Sequence, residues 1–400
     1  MEFSRESPAV QWPKGLRRDT PRRKHTGWIA LALGFPLVLA AAEPRPALEF
    51  ELAARHANPA RLGGLQASYV LRGLPVDGPC VATTWSKSYE DAMAVFYDAG
   101  ARVIGTWRDE GGEMPMNITD GDLDGDGRAE ILIVTRWNRP GAHVLGWDPQ
   151  RRELVPRWSY RVDTNDRFYR GSAIGDFTAH PGREVVFGSS KGDLILLDRD
   201  GRLLAQRRLS NGKTVQRIDV ADTDGDGRDE MIIATGRNPG EVRLVQWTPE
   251  LRLDERWRTD VTPAGQGGTN CYEVQWHPHG HPEGGPAIAA TTDQEVDGYK
   301  GSVALLDVKG RILWQRVFAP EEGRAGGCGF GDLDGDGRPE IVTRLSAQKA
   351  MVVYSGRGER LAVSTAVPTT AAGPQIVRWQ PDGPVQIVSV GHVFNVVVRR

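Results

Sequence analysis

GDLDGDGRAE at Gly121–Glu130, ADTDGDGRDE at Ala221–Glu230 and GDLDGDGRPE at Gly331–Glu340 are three copies of one ten-residue stretch. Counted from the first aspartate, each copy carries carboxylates at positions 1, 3, 5 and 9. These are Asp122, Asp124, Asp126 and Glu130; Asp222, Asp224, Asp226 and Glu230; and Asp332, Asp334, Asp336 and Glu340. So many like charges in one short turn repel one another unless a cation sits among them, and Ca2+ accepts about six to eight hard oxygens in flexible geometry. Gly127, Gly227 and Gly337 at position 6 let the backbone turn sharply. The main-chain carbonyls of Arg128, Arg228 and Arg338 at position 7 offer a further ligand. The chemistry predicts about three Ca2+ sites that stiffen the fold, and their recurrence predicts a repeat protein. An EF-hand is excluded, because it needs a glutamate at position 12, where this chain has Ile133, Ile233 and Thr343.

A second pattern runs in phase with the first. Six times an apolar strand reaches a turn and returns, as in VLGWDPQRRELVPRW from Val144 and LILLDRDGRLLAQ from Leu194. The residue closing the first strand is Tyr97, Trp147, Leu197, Trp247, Leu306 and Tyr354, at spacings of 50, 50, 50, 59 and 48 residues. A period near 50 built from short strands and Gly-rich turns predicts an all-β fold, a seven-bladed β-propeller of four-stranded antiparallel blades. GDFTAHPGRE (Gly175–Glu184) is a degenerate copy of the acidic turn, with Thr178 and His180 replacing two aspartates. After QIVRW, VQIVSV and HVFNVVV the seventh unit lacks its outer strand, and LEFELA (Leu48–Ala53) from the N-terminus is expected to supply it and close the ring.

The chain has 400 residues, 39% of them apolar, with 48 glycines and 26 prolines, a composition unsuited to a mainly helical fold. Arg17, Arg18, Arg22, Arg23 and Lys24 precede an apolar run, Trp28–Ala42, that ends Ala40-Ala41-Ala42. A basic stretch, a short apolar core and a small-residue end predict a secretory signal peptide over 1–42, with the propeller over 43–400. The run is shorter than the roughly 20 residues of a spanning helix, so no stable membrane span is expected after cleavage. The expected location is periplasmic, cell-surface or extracellular. Beyond residue 42 there are 43 Lys and Arg against 49 Asp and Glu, a formal charge of −6, and no basic stripe suggests nucleic acid. Three cysteines, Cys80, Cys271 and Cys328, cannot make a disulfide scaffold, and the sequence leaves open whether Cys271 and Cys328 are bridged.

The D-x-D-G-D-G-x-x-E turn followed at once by an apolar strand resembles the FG-GAP/VCBS repeat of integrin alpha-chain heads and many exported bacterial proteins. The resemblance covers about 66–400 and implies a seven-bladed propeller with Ca2+ turns on one face. Some polysaccharide lyases that cleave rhamnogalacturonan use similar calcium-turn blades, which is the enzyme alternative. LLDVKGRILWQ also resembles the blade repeat of quinone-dependent dehydrogenases, in a single copy at Gly310–Trp314.

The expected function is that of a rigid binding platform for a protein or glycan, acting by recognition and not catalysis. No G-x-S-x-G, H-E-x-x-H, P-loop or dinucleotide fingerprint is present, so no catalytic residue is assigned. His277, His279 and His281 lie beside Pro278 and Pro282 and are read as a loop. Trp158 and Trp257 recur in register and are read as packing elements. Ligand contacts are expected on the connections opposite the acidic turns, where function concentrates on rigid scaffolds. The candidates there are Trp137, Arg139, Asp166, Arg167, Tyr169, Arg237, Glu295 and Tyr299.

Overall fold

The computed structural model describes residues 47–55, 65–74, 79–86, 92–137, 139–162, 164, 166, 168–236, 239–264, 269–294, 301–364, 373–380, 382–389 and 392–399. The expected signal segment, 1–42, lies outside them, as do Arg167, Arg237, Glu295 and Tyr299. Among the described residues no helix is long and apolar enough to cross a membrane.

The chain enters on β1 (Ala47–Arg55), and six antiparallel arrays of four strands follow in order. Array A holds β2 (Leu65–Leu71), β3 (Cys80–Trp85), β4 (Met93–Tyr97) and β5 (Val103–Trp107). Array B holds β6 (Met114–Gly121), β7 (Glu130–Arg136), β8 (Gly141–Asp148) and β9 (Glu153–Arg161). Array C holds β10 (Phe168–Gly175), β11 (Glu184–Ser189), β12 (Asp193–Leu197) and β13 (Leu203–Arg208). Array D holds β14 (Val215–Ala221), β15 (Glu230–Thr235), β16 (Glu241–Trp247) and β17 (Leu253–Asp260). Array E holds β18 (Thr269–His277), β19 (Ala287–Gln294), β20 (Ser302–Asp307) and β21 (Ile312–Val317). Array F holds β22 (Ala325–Gly331), β23 (Glu340–Leu345), β24 (Ala350–Tyr354) and β25 (Arg360–Ser364). The last strands, β26 (Gln375–Arg378), β27 (Val385–Ser389) and β28 (His392–Arg399), pair with β1 in the order β1-β28-β27-β26.

The N-terminal strand therefore completes the last array, with Ala47 opposite Arg399 and Arg55 opposite His392. Residues from the first strand of every array line one central cavity, so the arrays stand radially about it as the blades of a propeller. β2 meets β26 and β27, which closes the ring.

The expected count of seven blades is corrected to six among the described residues. Arrays C and D form a single eight-stranded sheet, because Arg170 on β10 and Arg217 on β14 pair as a parallel bridge. The joint is reinforced by Arg243, which is wholly buried. Its Nη2 lies 2.6 Å from Glu241 Oε2, and its Nη1 donates to Ser210 O at 2.9 Å and meets Glu255 Oε2 at 3.0 Å.

The middle strands are buried on both faces because each blade packs against two neighbours. β12, β16 and β20 are buried throughout, whereas β17 on the rim alternates between half-buried and exposed. On the rim, tryptophans lock adjacent arrays. Trp158, Trp257 and Trp314 donate their indole N–H to Arg199 O, Val308 O and Gly356 O of the next array, at 2.8, 2.9 and 2.8 Å. Each ring lies against a turn glycine at positive φ: Gly201 (φ 80), Gly310 (φ 78) and Gly358 (φ 76). A Cβ there would stand 2.7 Å from the indole. The equivalent turn positions Arg152 (φ 55) and Leu251 (φ 56) hold side chains, and the facing residues, Gly105 and Ala205, are small. The single Gly310–Trp314 copy is thus two halves of different locks: Gly310 receives Trp257, and Trp314 docks on Gly358.

Cys80, Cys271 and Cys328 are free and buried. Cys271 and Cys328 lie on the first strands of neighbouring arrays E and F, and burial pushes both thiols up.

Trp257→Ala should cost about 3 kcal/mol by removing the indole and its hydrogen bond. Urea denaturation checks this, with Trp257→Phe expected to recover part of the loss.

Candidate functional site

The acidic turns adopt one geometry three times. Asp122 Oδ1 accepts from Gly125 N at 2.8 Å and Oδ2 from Gly127 N at 3.0 Å. Asp222 and Asp332 hold their own glycines at 2.7 and 3.0 Å, and at 2.7 and 3.1 Å. Positions 4 and 6 take φ between 78 and 86, the left-handed region that favours glycine. The carboxylates converge as the spacing predicts. One oxygen each of Asp122, Asp124 and Glu130 lie within 4.8 Å of one another. The same holds for Asp222, Asp224 and Glu230, and for Asp332, Asp334 and Asp336.

The glutamate at position 9 opens the second strand and is buried. Its Oε2 accepts the N–H of position 2: Leu123 at 2.9 Å, Thr223 at 2.8 Å and Leu333 at 2.9 Å. The degenerate turn keeps the same clamp, Glu184 Oε2 accepting Phe177 N at 2.9 Å. Position 2 is thereby drawn into the core, where Leu123, Phe177 and Leu333 are buried. Burial raises the carboxyls of Glu130, Glu184 and Glu230. Glu340, buried and surrounded by Asp332, Asp334 and Asp336, is pushed up to about 8.

The turns also tie neighbours together. Ala129 N donates to Gly73 O at 3.1 Å, Arg183 N to Leu123 O at 3.1 Å, and Asp229 N to Asp176 O at 2.7 Å.

The central cavity, about 490 Å3, is lined by Arg72, Asp120, Asp219 and Trp276 among others. Burial raises the carboxyls of Asp120 and Asp219; the N–H groups of Gly73 and Trp276 oppose the shift at 2.6 and 2.7 Å. Arg217 spans the cavity. Its guanidinium pairs with Glu273 at 2.8 Å, donates to Asn117 on β6 and stands 6.0 Å from the Tyr69 ring on β2. One side chain of array D thus touches arrays A, B and E.

A smaller cavity of about 220 Å3 lies between the third turn and the histidine segment, lined by His279, His281, Asp334, Asp336 and Glu340 among others. The Nδ1 atoms of His277 and His281 accept the N–H groups of His279 and Glu283 at 3.2 and 3.1 Å. Among the described residues no histidine joins a group of three converging metal-ligand atoms.

The β7–β8 connection lies at the end of array B opposite its acidic turn. There Trp137 (φ 102) packs against Ala92, Met114 and Met116, with the Arg136 guanidinium 4.5 Å from its ring. Arg139 is exposed; its N–H donates to Glu113 at 2.9 Å, and its carbonyl accepts from Arg161 at 3.2 Å. Asp166 is buried, pairs with Lys191 and donates its N–H to Thr164 Oγ1 at 3.1 Å. Tyr169 lies on β10. The contacts given above for Trp137 and Arg139 lie in arrays A and B, and Asp166 makes its ion pair with array C.

The structure also brings together Asp109, His143 and Ser159, a set invisible in sequence. His143 Nδ1 stands 2.9 Å from Ser159 Oγ, and Nε2 stands 3.3 Å from Thr135 Oγ1 and 3.6 Å from Asp109 Oδ1. Arg161 Nη2 holds the same Asp109 oxygen at 2.5 Å. Ser159 is on the rim strand β9 and lines none of the cavities above. Burial and Arg161 outweigh Asp109 and push His143 down to about 4, too low for a general base near neutrality. The set is a polar tie between arrays A and B.

Comparison with known proteins supports the fold from outside. No protein-family model and no curated protein sequence matches the chain. Among solved structures it is similar to two crystal structures of one β-propeller, "BBS1N in complex with ARL6DN", one soaked with mercury and one with lead. The identities are 11% and 12%, each with a TM-score of 0.58, covering 89% of this chain and 98% of that chain. At such identity the likeness is one of fold. The protein is an all-β propeller of four-stranded antiparallel blades.

His143 sets a pH dependence. As pH falls from about 6.5 to 4 the unfolded chain takes up a proton that the folded chain refuses, so stability is lost across that window. The contribution is about 3 kcal/mol. Urea titrations at several pH values should show this slope in the wild type and a shallower one in His143→Gln.

Proposed function

We propose that this chain is an exported propeller of the FG-GAP/VCBS type, stiffened by Ca2+ at its acidic turns and serving as a rigid platform for a protein partner. The observation that carries the calcium reading is Glu230: it is buried, one of its oxygens accepts from Thr223, and its Oε1 has no hydrogen-bond partner. A buried carboxylate oxygen left bare costs stability, and a hard cation between it, Asp222 and Asp224 would offset that cost. The donor set is all oxygen, which suits Ca2+ over a transition metal. Asp222, Asp224, Asp226, Glu230 and the Arg228 carbonyl would hold it, and the other two acidic turns carry the corresponding residues. The ion would act by binding the folded state alone and holding the turns that tie adjacent arrays.

The platform reading is supported by the rim and channel locks and by the similar propeller, whose title describes it in complex with ARL6DN. Partner contact is expected on the end opposite the acidic turns, at Trp137 and Arg139 of array B and Asp166 beside array C, together with Arg167, Tyr169, Arg237, Glu295 and Tyr299. The signal segment over 1–42 would deliver the chain to a calcium-rich, oxidising compartment.

Thermal melting tests the calcium reading. At free Ca2+ about 100-fold above the dissociation constant, each site should add about 2.7 kcal/mol over the chelator-treated protein. A melting temperature indifferent to both chelator and Ca2+ overturns it. For the platform, Arg139→Ala should weaken capture of a partner from the secreted fraction and leave melting unchanged, whereas Asp332→Asn should lower melting and leave capture intact.

A further inference from the structure

We propose that the three acidic turns are not equivalent: Arg157 fills the turn of array B from within, and Ca2+ is taken up at the turns of arrays D and F. The inference rests on the calcium reading above and concerns which sites are competent.

The position-9 glutamate uses Oε2 alike in all four turns, as the backbone clamp. Its Oε1 is treated differently each time. In the degenerate turn of array C, Thr178 replaces the position-3 aspartate and its hydroxyl donates to Glu184 Oε1. In array B, Glu130 Oε1 likewise accepts no hydrogen bond, but the guanidinium of Arg157 faces it as an ion pair, Nη2 at 2.8 Å, while Nη1 donates to Asp124 Oδ2 at 2.7 Å. In array D, Glu230 Oε1 is buried with no hydrogen-bond partner, and among the described residues no cation stands against it.

The rim strand explains the difference. In arrays A to F the pairing of the third and fourth strands shifts by one residue near the turn, leaving one bulged residue without a partner. That residue is Ile104, Arg157, Leu204, Arg256, Leu313 and Leu361 in turn. In arrays A, C, E and F the aliphatic side chain packs against the core. In arrays B and D it is an arginine. Arg256 stays back, 3.9 Å from Asp224, with Nη2 turned to Gln246 Oε1 at 2.5 Å. Arg157 goes in, and a monovalent guanidinium hydrogen-bonded to Asp124 and ion-paired with Glu130 stands among the oxygens a divalent ion needs. Array F has Leu361 at the bulge and keeps Asp334 at position 3, so it presents neither a guanidinium nor a hydroxyl from these positions.

Calorimetric titration of the full, chelator-stripped protein with Ca2+ counts the sites. The wild type should bind two equivalents. Arg157→Leu, which installs the residue native to the array F bulge, should bind three, and adding Asp124→Asn to it should return the count to two. Arg256→Leu should stay at two. Three equivalents in the wild type, or no gain in Arg157→Leu, overturns this inference and leaves the calcium reading standing. No binding by any of these proteins overturns both. Should Arg157→Leu fail to fold, Arg157→Gln keeps the test, since it removes the charge and retains a side chain that can bond Glu130.

Discussion

A buried glutamate accepting the backbone N–H seven residues before it is the constraint on which this propeller turns. Glu130, Glu184, Glu230 and Glu340 each begin a second strand and reach back to position 2 of their own turn. That single bond fixes the sharp return between first and second strand. It sinks Leu123, Phe177 or Leu333 into the core and brings the position-8 N–H of three of these turns to a carbonyl of the preceding array. The cost is a carboxylate held away from water, visible in the raised pKa of all four. A hydroxyl, a guanidinium or a cation is the means of offsetting that cost, and the arrays differ in which they use.

Elsewhere the ring is held by ties that cross from one array to the next. At the rim an indole from one array closes on a glycine of the following turn, donating its N–H to a carbonyl there. At the centre Arg217 touches three other arrays, and Asp120 and Asp219 accept N–H groups across boundaries. Each blade buries its middle strands on both faces, so it cannot be stable alone, and the closure by β1 leaves the last array complete. Rigidity of this kind suits a surface whose partner is met by its connections and not by moving parts.

Much of this was legible along the chain. The period near 50, the run of strands within each unit and the completion of the last array from Leu48–Ala53 are patterns of spacing and alternation, and they appear in the structure where spacing put them. The convergence of Asp122, Asp124 and Glu130 was legible for the same reason, since alternate residues of one tight turn face one point. The fusion of arrays C and D was not legible, because it hangs on one parallel residue pair between strands separated by a whole repeat. The packing role of Trp158 and Trp257 was legible from their recurrence, but their glycine partners were not, because those lie about 40 to 50 residues away in the adjacent unit. The Asp109–His143–Ser159 contact has no linear signature at all.

Local chemistry and periodicity, then, determined by sequence alone that this is an all-β repeat ring with acid-rich corners: short-range carboxylate spacing and strand alternation are properties of neighbours in the chain. The tertiary structure decided what each corner is. Arg157 and Glu130 are 27 residues apart in sequence, yet the bulge in β9 sets the guanidinium on the carboxylate at 2.8 Å, while Arg256 in the same place one repeat pair later turns aside. Which carboxylate faces a guanidinium and which does not depends on where a bulge aims a side chain, and that direction exists only once the strands have paired.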